Sequence, residues 1–283
     1  MSRSLTAADR SALIRLASTL PVGSDERRAI LAGLSREGGY PRYRPSNNGE
    51  SNVPGLHILD RAVVSDSFVT GKAKVSGNAL VTGGAAIRDK AHVYGNAKVD
   101  RAQVLGFTEV YDNAQVSGRV FVNDDAKVFG NAVVSGDARV AGKAMVSGDA
   151  KVYDTAVVSG NAVVSGDAHI YGNAEVSGNA QVSGGYVRDY AKVRGTAKLS
   201  EKTNVYGDAV VSGNAQLSDR SIVAGKAMVS GDARIYGNAE VYGKAKVFGT
   251  ARIGGDASII GGSWDGSEGE ITSGKWKAPG VPA

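Results

Sequence analysis

A six-residue repeat dominates the chain. From about Ala62 to Ile260 the pattern A-x-V-x-G-[N/D] recurs, as in residues 73–78 and again in residues 168–173. Alternation of small aliphatic and polar residues predicts a strand with one buried face. The Gly-Asn or Gly-Asp pair that follows supplies residues that tolerate a positive φ at a sharp corner. Each hexad is therefore predicted to form one short strand followed by one turn.

The register of the repeat rarely changes. The aliphatic position returns about 34 times, with contractions to five residues near 64–69, 99–104 and 182–187. A strand this short cannot bury its face alone, so successive hexads are predicted to wind into coils that stack. Aromatic residues directly after the aliphatic position recur at about 18 residues, which indicates three hexads per coil and about eleven coils. The predicted fold class is all-β, a three-sided, single-stranded parallel β-helix.

Composition limits what this β-helix encloses. The chain is 42% hydrophobic but only 6% aromatic, so its core is predicted to consist of small side chains that leave no internal pocket. It has no cysteine, which excludes disulfides, cysteine-based zinc sites and a thiol nucleophile. Asn and Asp at the corners lack the spacing of calcium-binding nonapeptide repeats, and no metal site or cofactor is predicted.

The hexads resemble the hexapeptide-repeat left-handed β-helix superfamily over about 200 of the 283 residues. This resemblance rests on the inward aliphatic and on the small residue two places before it. It implies a left-handed coil and a homotrimer. Gly lies two residues after the aliphatic here, whereas the superfamily's acyltransferases often place it directly after. The pattern is therefore more similar to uncharacterised, polymer-forming or phage-encoded repeat proteins than to the enzymes.

Four segments are predicted. Residues 1–37 read as a helical hairpin or anchor, residues 38–56 as a linker, residues 57–261 as the β-helix and residues 262–283 as a C-terminal cap or tail outside the repeat. The hairpin has too little apolar surface to stand alone, so it either covers the end of the β-helix or binds a partner protein.

Three histidines are the only candidates for the acyltransferase chemistry that the resemblance raises. His57 lies at the linker, whereas His92 and His169 occupy outward positions in mid-strand. Glu109 lies one coil from His92 and could polarise it. An ordinary solvated ladder of cross-strand pairs is the competing interpretation. If the protein is an enzyme, His92, Glu109 and His169 are its candidate catalytic residues, with a CoA-type donor.

Outward aromatic residues and the two tryptophans are the predicted interaction residues: Tyr94, Tyr111, Phe129, Tyr153, Tyr171, Trp264 and Trp276. The tryptophans are expected to cover the end of the β-helix, with glycan or partner binding as the alternative. Outward aliphatic residues in mid-strand, such as Val210 and Met228, predict a face buried against another copy or a partner. One basic column could take a polyanion, but nucleic acid is not favoured because stacking platforms are lacking.

The leading functional hypothesis is a non-enzymatic structural or interaction protein, a rigid β-helical rod that self-associates within a larger assembly such as a phage or cell envelope. The alternatives are a hexapeptide-repeat acyltransferase-like enzyme and a module that binds a glycan or receptor. The net charge of +5 comes from mixed charges, and charged residues interrupt the first apolar stretch. No secretory signal or membrane span is predicted, so synthesis in the cytoplasm is expected, with incorporation into a virion or other assembly possible.

Overall fold

The computed structural model describes residues 57–58, 60–279 and 281–282. These residues form strands and turns and contain no helix, which confirms the all-β parallel solenoid. The predicted helical hairpin (1–37) and linker (38–56) lie outside the described residues. The chain divides into two compact units, unit 1 (Met1–Asn131) and unit 2 (Ala132–Ala283).

The described residues of unit 1 form thirteen short strands. In chain order they are β1 (His57–Ile58), β2 (Val63–Val64), β3 (Phe68–Val69), β4 (Lys74–Val75), β5 (Leu80–Thr82), β6 (Ala86–Ile87), β7 (His92–Val93), β8 (Lys98–Asp100), β9 (Gln103–Val104), β10 (Glu109–Val110), β11 (Gln115–Ser117), β12 (Phe121–Val122) and β13 (Lys127–Val128).

The described residues of unit 2 contribute the remaining strands, which are two residues long except for the four-residue β38. They are β14 (Val133–Val134), β15 (Arg139–Val140), β16 (Met145–Val146), β17 (Lys151–Val152), β18 (Val157–Val158), β19 (Val163–Val164), β20 (His169–Ile170), β21 (Glu175–Val176), β22 (Gln181–Val182), β23 (Tyr186–Val187), β24 (Lys192–Val193), β25 (Lys198–Leu199), β26 (Asn204–Val205), β27 (Val210–Val211), β28 (Gln216–Leu217), β29 (Ile222–Val223), β30 (Met228–Val229), β31 (Arg234–Ile235), β32 (Glu240–Val241), β33 (Lys246–Val247), β34 (Arg252–Ile253), β35 (Ser258–Ile259), β36 (Ser263–Trp264), β37 (Glu270–Ile271), β38 (Lys275–Ala278) and β39 (Val281–Pro282).

Within each unit every strand pairs in parallel with the third strand along the chain, which builds three sheets. In unit 1 these are sheet A1 (β1, β4, β7, β10, β13), sheet B1 (β2, β5, β8, β11) and sheet C1 (β3, β6, β9, β12). In unit 2 they are sheet A2 (β16 and every third strand to β37), sheet B2 (β14 and every third strand to β38, then β39) and sheet C2 (β15 and every third strand to β36). Register partners such as Lys74 and His92 lie one coil apart. The predicted three hexads per coil are confirmed, and the two units together hold about 12 coils.

The core consists of the two inward positions of each hexad. Inward residues such as Ala91 and Val93 in unit 1, and Ala180 and Val182 in unit 2, are fully buried. Small and branched side chains suit this place because three close walls leave little room between them. Backbone N–H groups donate to carbonyl groups of the next coil, as from Lys74 N to Ala91 O at 2.8 Å. The narrow filled core therefore leaves the outward positions as the surface on which ligands or partners bind.

The corners need a positive φ. At Gly77, where φ is 68°, a Cβ atom would approach the backbone nitrogen of Gly95 to 2.9 Å, so both conformation and space favour glycine. Some corners carry Asp at the same place, such as Asp112 with φ of 58°. The Asp112 carboxylate accepts a hydrogen bond from the N–H of Gly130, one coil further on, at 3.2 Å. This bond offsets part of the strain that a side chain meets in the left-handed region.

The C-terminal residues correct one expectation. Residues 262–283 were predicted to leave the repeat as a cap, yet β36, β37 and β38 continue the parallel pairing. Trp264 pairs in register with Val247 and Trp276 with Ile259, so both tryptophans occupy inward aliphatic places. Only β39 departs, because it returns antiparallel to β38. None of the described residues forms a helix with the length and hydropathy needed to cross a membrane.

Candidate functional site

Three stacked rings stand on sheet A1 of unit 1. Tyr94, Tyr111 and Phe129 each follow the inward valine of their strand, and successive ring centroids lie 4.9 Å apart with interplanar angles of 5° and 1°. We call these three residues the aromatic ladder. The 18-residue spacing predicted this column. Because each ring covers its neighbour, Tyr111 has both faces occupied and presents only its edge and hydroxyl, which does not suit stacking on a sugar ring.

The surroundings of Tyr94, the first ring of the aromatic ladder, raise the pKa of its hydroxyl. Burial raises the pKa of Tyr94 to about 12, and the charge of Glu109 acts in the same direction. Tyr94 therefore keeps its proton at neutral pH.

A ladder of asparagines runs along the adjacent corner, where each Nδ2 donates to the Oδ1 of the next coil. Its members are Asn78, Asn96, Asn113 and Asn131, with distances of 3.0, 3.0 and 3.1 Å.

His92 lies at the end of the aromatic ladder. Its ring centroid is 4.3 Å from that of Tyr94, and its Nε2 lies 3.0 Å from the hydroxyl oxygen of Ser76. Burial is the main cause that lowers the pKa of His92 below 6.5, Lys74 adds to the effect, and Glu109 opposes it. The neutral imidazole is thus favoured at pH 7. Ser76 was missed from the sequence because serine occupies this hexad position so often that its presence carries no signal.

The structure brings His92 and Glu109 into register, as predicted for a coil of 17 residues that contains the five-residue step at 99–104. The carboxylate of Glu109 is engaged elsewhere, however, since the Lys127 ammonium donates to its Oε2 at 3.2 Å. His92 therefore has a serine as its hydrogen-bonding partner and no carboxylate oriented on its other nitrogen. A general base needs such an orienting group to hold its tautomer.

His169 lies on sheet B2 of unit 2. It stands in register between Lys151 and Tyr186. Its ring centroid lies 6.5 Å from that of Tyr153 in an edge contact and 5.2 Å from that of Tyr186. Burial, followed by Lys151, lowers the pKa of His169, and Asp167 opposes the shift. These contacts are those of a side chain in a cross-strand ladder.

A second aromatic column follows the inward residues of sheet B2. Tyr153 and Tyr171 stack with centroids 4.9 Å apart, and the Arg188 guanidinium lies 4.2 Å above the ring of Tyr206. The five predicted aromatic residues thus form two separate columns, one on A1 and one on B2. In both columns ring faces are covered by the next coil.

The tryptophans differ in exposure. Trp264 is 1% exposed, and its Nε1 donates to Gly261 O at 2.7 Å, so its ring is not available at the surface. Trp276 is partly exposed, with its Nε1 donating to Ser273 O at 2.9 Å. The two rings meet edge to face, with centroids 6.3 Å apart.

An open groove of about 520 Å³ runs along sheet A2 in unit 2. We call it the A2 groove. Its strand positions carry Gln181, Lys198, Gln216, Arg234 and Arg252 at successive coils. Serines such as Ser183, Ser200 and Ser218 occupy the position that the aromatic ladder holds in unit 1, and Tyr236 stands beside them. Sequence analysis had noted the basic residues of this column without predicting a groove, because depth depends on the small serine side chains beside them.

The described residues contain no group of three or more His, Asp or Glu side chains arranged to hold a metal ion.

Comparisons with known proteins concern the fold. A family model described as the YdcK β-solenoid repeat matches residues 168–184. One similar solved structure is the Arabidopsis UDP-N-acetylglucosamine acyltransferase, which is 12% identical over 68% of this chain and 67% of that chain, with a TM-score of 0.35. No curated protein matches the chain. The repeat match and the observed coils agree with the hexapeptide-repeat β-helix superfamily.

Proposed function

We propose that this hexapeptide-repeat β-solenoid is a non-enzymatic structural or interaction protein that self-associates through sheet C2. The observation that carries the proposal is the apolar surface on that sheet. Val210 and Met228 are register partners at outward positions. On the next coil Lys246 is in register with Met228, and Phe248 lies two residues after Lys246. Met228 is 43% exposed and Phe248 is 39% exposed. Neighbouring outward apolar side chains of this size are typical of contact surfaces.

The filled core supports a structural role. Inward side chains occupy the space between the three sheets in each unit, so substrates have no access there. In the described part of each unit, the hexads contain no long loop that would wall off an acceptor site. A second copy is the proposed occupant of the C2 surface because repeat proteins of this kind present flat, regular faces that suit self-complementary packing.

The acyltransferase alternative depends on His92 or His169. Neither has a carboxylate placed to orient it, and Glu109 is paired with Lys127. This alternative predicts saturable binding of acetyl-CoA that is lost in His92→Ala or His169→Ala. Absence of binding at millimolar acetyl-CoA disposes of it.

Size-exclusion chromatography with light scattering tests the proposal. We expect the full chain at micromolar concentration to have a mass of two or more times the monomer mass of 29.0 kDa. Met228→Glu should shift the mass toward the monomer, because it places a charge within the apolar contact. Met145→Glu is the matched control, since Met145 is an outward strand residue on sheet A2, and it should leave the mass unchanged. A strict monomer, or equal dissociation of both variants, would overturn the proposal.

A further inference from the structure

Outward residues of the A2 groove alternate in chemistry from coil to coil. Gln181, Lys198, Gln216 and Arg234 are successive register partners, which gives amide, cation, amide, cation. Successive coils of a β-solenoid lie about 4.8 Å apart, so the two cations stand about 10 Å apart along the groove. All four side chains are exposed. From Gln181 to Arg234 the groove therefore presents positive charge at every second coil, with neutral hydrogen-bonding groups between, and Arg252 follows Arg234 on the next coil.

The two cations are available to a ligand. Within residues 57–58, 60–279 and 281–282, neither Lys198 nor Arg234 has an ion-pair partner. Arg252 at the next coil differs, since its guanidinium donates to Glu270 Oε1 at 3.2 Å. The charge free to bind an anion is thus concentrated on Lys198 and Arg234.

Acidic groups border one side of the groove. Asp219 accepts hydrogen bonds from the Gly237 N–H at 2.8 Å and from the Ser218 hydroxyl at 3.1 Å. These bonds, with the Gly237 contact first, lower the pKa of Asp219. The adjoining corner carries Asp167 and Glu201 together with the cations Lys202 and Arg220, so its charges are mixed. The column of strand residues with Lys198 and Arg234 is the more uniformly positive surface.

The serines of the groove supply acceptors for sugar hydroxyls. Ser183 donates its proton to Leu199 O at 3.3 Å, and Ser200 donates to Leu217 O at 3.4 Å. Each hydroxyl oxygen keeps lone pairs that accept hydrogen bonds, and both serines line the groove. Together with the Gln181 and Gln216 amides, which both donate and accept, they match the mixed hydrogen-bonding of a neutral sugar.

We propose that the A2 groove binds an extended polysaccharide in which an acidic sugar alternates with a neutral one. One sugar of an extended chain is close in length to one coil, so carboxylates on alternate sugars meet Lys198 and Arg234 while the neutral sugar faces Gln216. Single-stranded nucleic acid fits less well, because its binding sites use rows of exposed aromatic rings and Tyr236 is the one aromatic residue lining this groove.

Calorimetry with a hyaluronan octasaccharide as the probe tests the proposal on the full chain at low ionic strength. We expect saturable binding that Lys198→Gln and Arg234→Gln each weaken by about ten-fold, the loss of one charge-assisted contact. Lys151→Gln removes the same charge from an exposed strand position on sheet B2 and should leave binding unchanged. All three substituted side chains point outward, so the substitutions should not change the melting temperature. Measuring that temperature verifies that each variant is folded.

A specificity change sharpens the test. Gln216→Lys places cations on three successive coils and should raise affinity for an oligogalacturonate, whose sugars are all acidic, relative to hyaluronan. Neutral cellohexaose should not bind. No hyaluronan binding at millimolar concentration, tighter binding of oligothymidylate or polyglutamate, or an equal loss in Lys151→Gln would overturn the proposal. Because self-association is assigned to sheet C2, failure of either idea leaves the other standing.

Discussion

The aromatic ladder of unit 1 and the A2 groove of unit 2 are built on the same hexad. Both have alanine at one inward position, with Thr108 as an exception, and valine, leucine or isoleucine at the other, with exposures of 1% or less. They differ in their outward residues. The aromatic ladder presents three stacked rings, whereas the A2 groove presents small serines beside cations. Surface chemistry in this fold is thus free to change without any change in the core.

The two surfaces also use their side chains differently. In unit 1 the outward groups satisfy one another: ring stacks on ring, asparagine bonds to asparagine and Lys127 pairs with Glu109. In unit 2 the cations Lys198 and Arg234 are left for other molecules. The first surface contributes to stability, whereas the second is the better place for a ligand.

If the two units have the same kind of core, then burying a charge in either should lower the free energy of unfolding by a similar, large amount. Val110→Asp in unit 1 and Val164→Asp in unit 2 each bury an unpaired carboxylate at a fully buried position. We expect each to lower the free energy of unfolding by about 4 to 5 kcal/mol, or to prevent folding. Denaturant unfolding followed by circular dichroism measures the loss.

The control for the core substitutions is Val163→Asp, which changes the adjacent outward residue of β19. It should cost less than about 1 kcal/mol, as surface changes usually do. An unchanged stability of Val164→Asp, or an equal loss in Val163→Asp, would contradict the inward assignment.

The ladder itself should separate the two regions. Tyr111 stacks against both Tyr94 and Phe129, so Tyr111→Ala removes two ring contacts and should cost about 1 to 3 kcal/mol. Tyr111→Phe keeps both contacts and should be close to neutral. Ser165→Ala, at the equivalent hexad position on sheet A2, should change stability by no more than about 0.5 kcal/mol. Similar losses in Tyr111→Ala and Ser165→Ala in thermal unfolding would show that the ladder adds nothing.

Periodicity predicted most of the fold because the hexad determines both strand and turn. The five-residue steps did not mislead, since Val182 and Val187 keep their inward places. The C-terminal coil was missed because Trp264, Ile271 and Trp276 are not six residues apart, and glycine and serine separate them. Thr108 and Ser221 also stand in alanine places, with buried hydroxyls that lack a partner within the described part of the chain. No pattern predicts where such polar residues interrupt a core.

The candidate sites were only partly predictable. Coil arithmetic placed Glu109 beside His92, but a repeat does not specify which neighbour a side chain turns toward. That choice depends on the charges and shapes at the adjacent coil. Here Glu109 pairs with Lys127, and His92 forms a hydrogen bond with Ser76. The depth of the A2 groove likewise arises from a run of small side chains on several coils, which is visible only when they are stacked.

The smallest expected effect is the pH dependence of stability that His92 causes. His92 is partly buried beside the aromatic ladder, whereas Gln181 and Gln216 in the A2 column do not titrate. Its pKa in the folded chain lies below the ordinary value of 6.5. The unfolded chain therefore binds the proton more readily, and stability contributed by neutral His92 is present above about pH 6.5 and is lost as the pH falls toward the lowered folded pKa. Melting temperatures measured between pH 7 and about pH 5 should fall less steeply in His92→Gln than in the original chain. His169→Gln should act in the same direction, since its pKa is also lowered. A nuclear magnetic resonance titration that places the His92 pKa above 6.5 would reverse the sign and with it the assigned dominance of burial over the Glu109 charge.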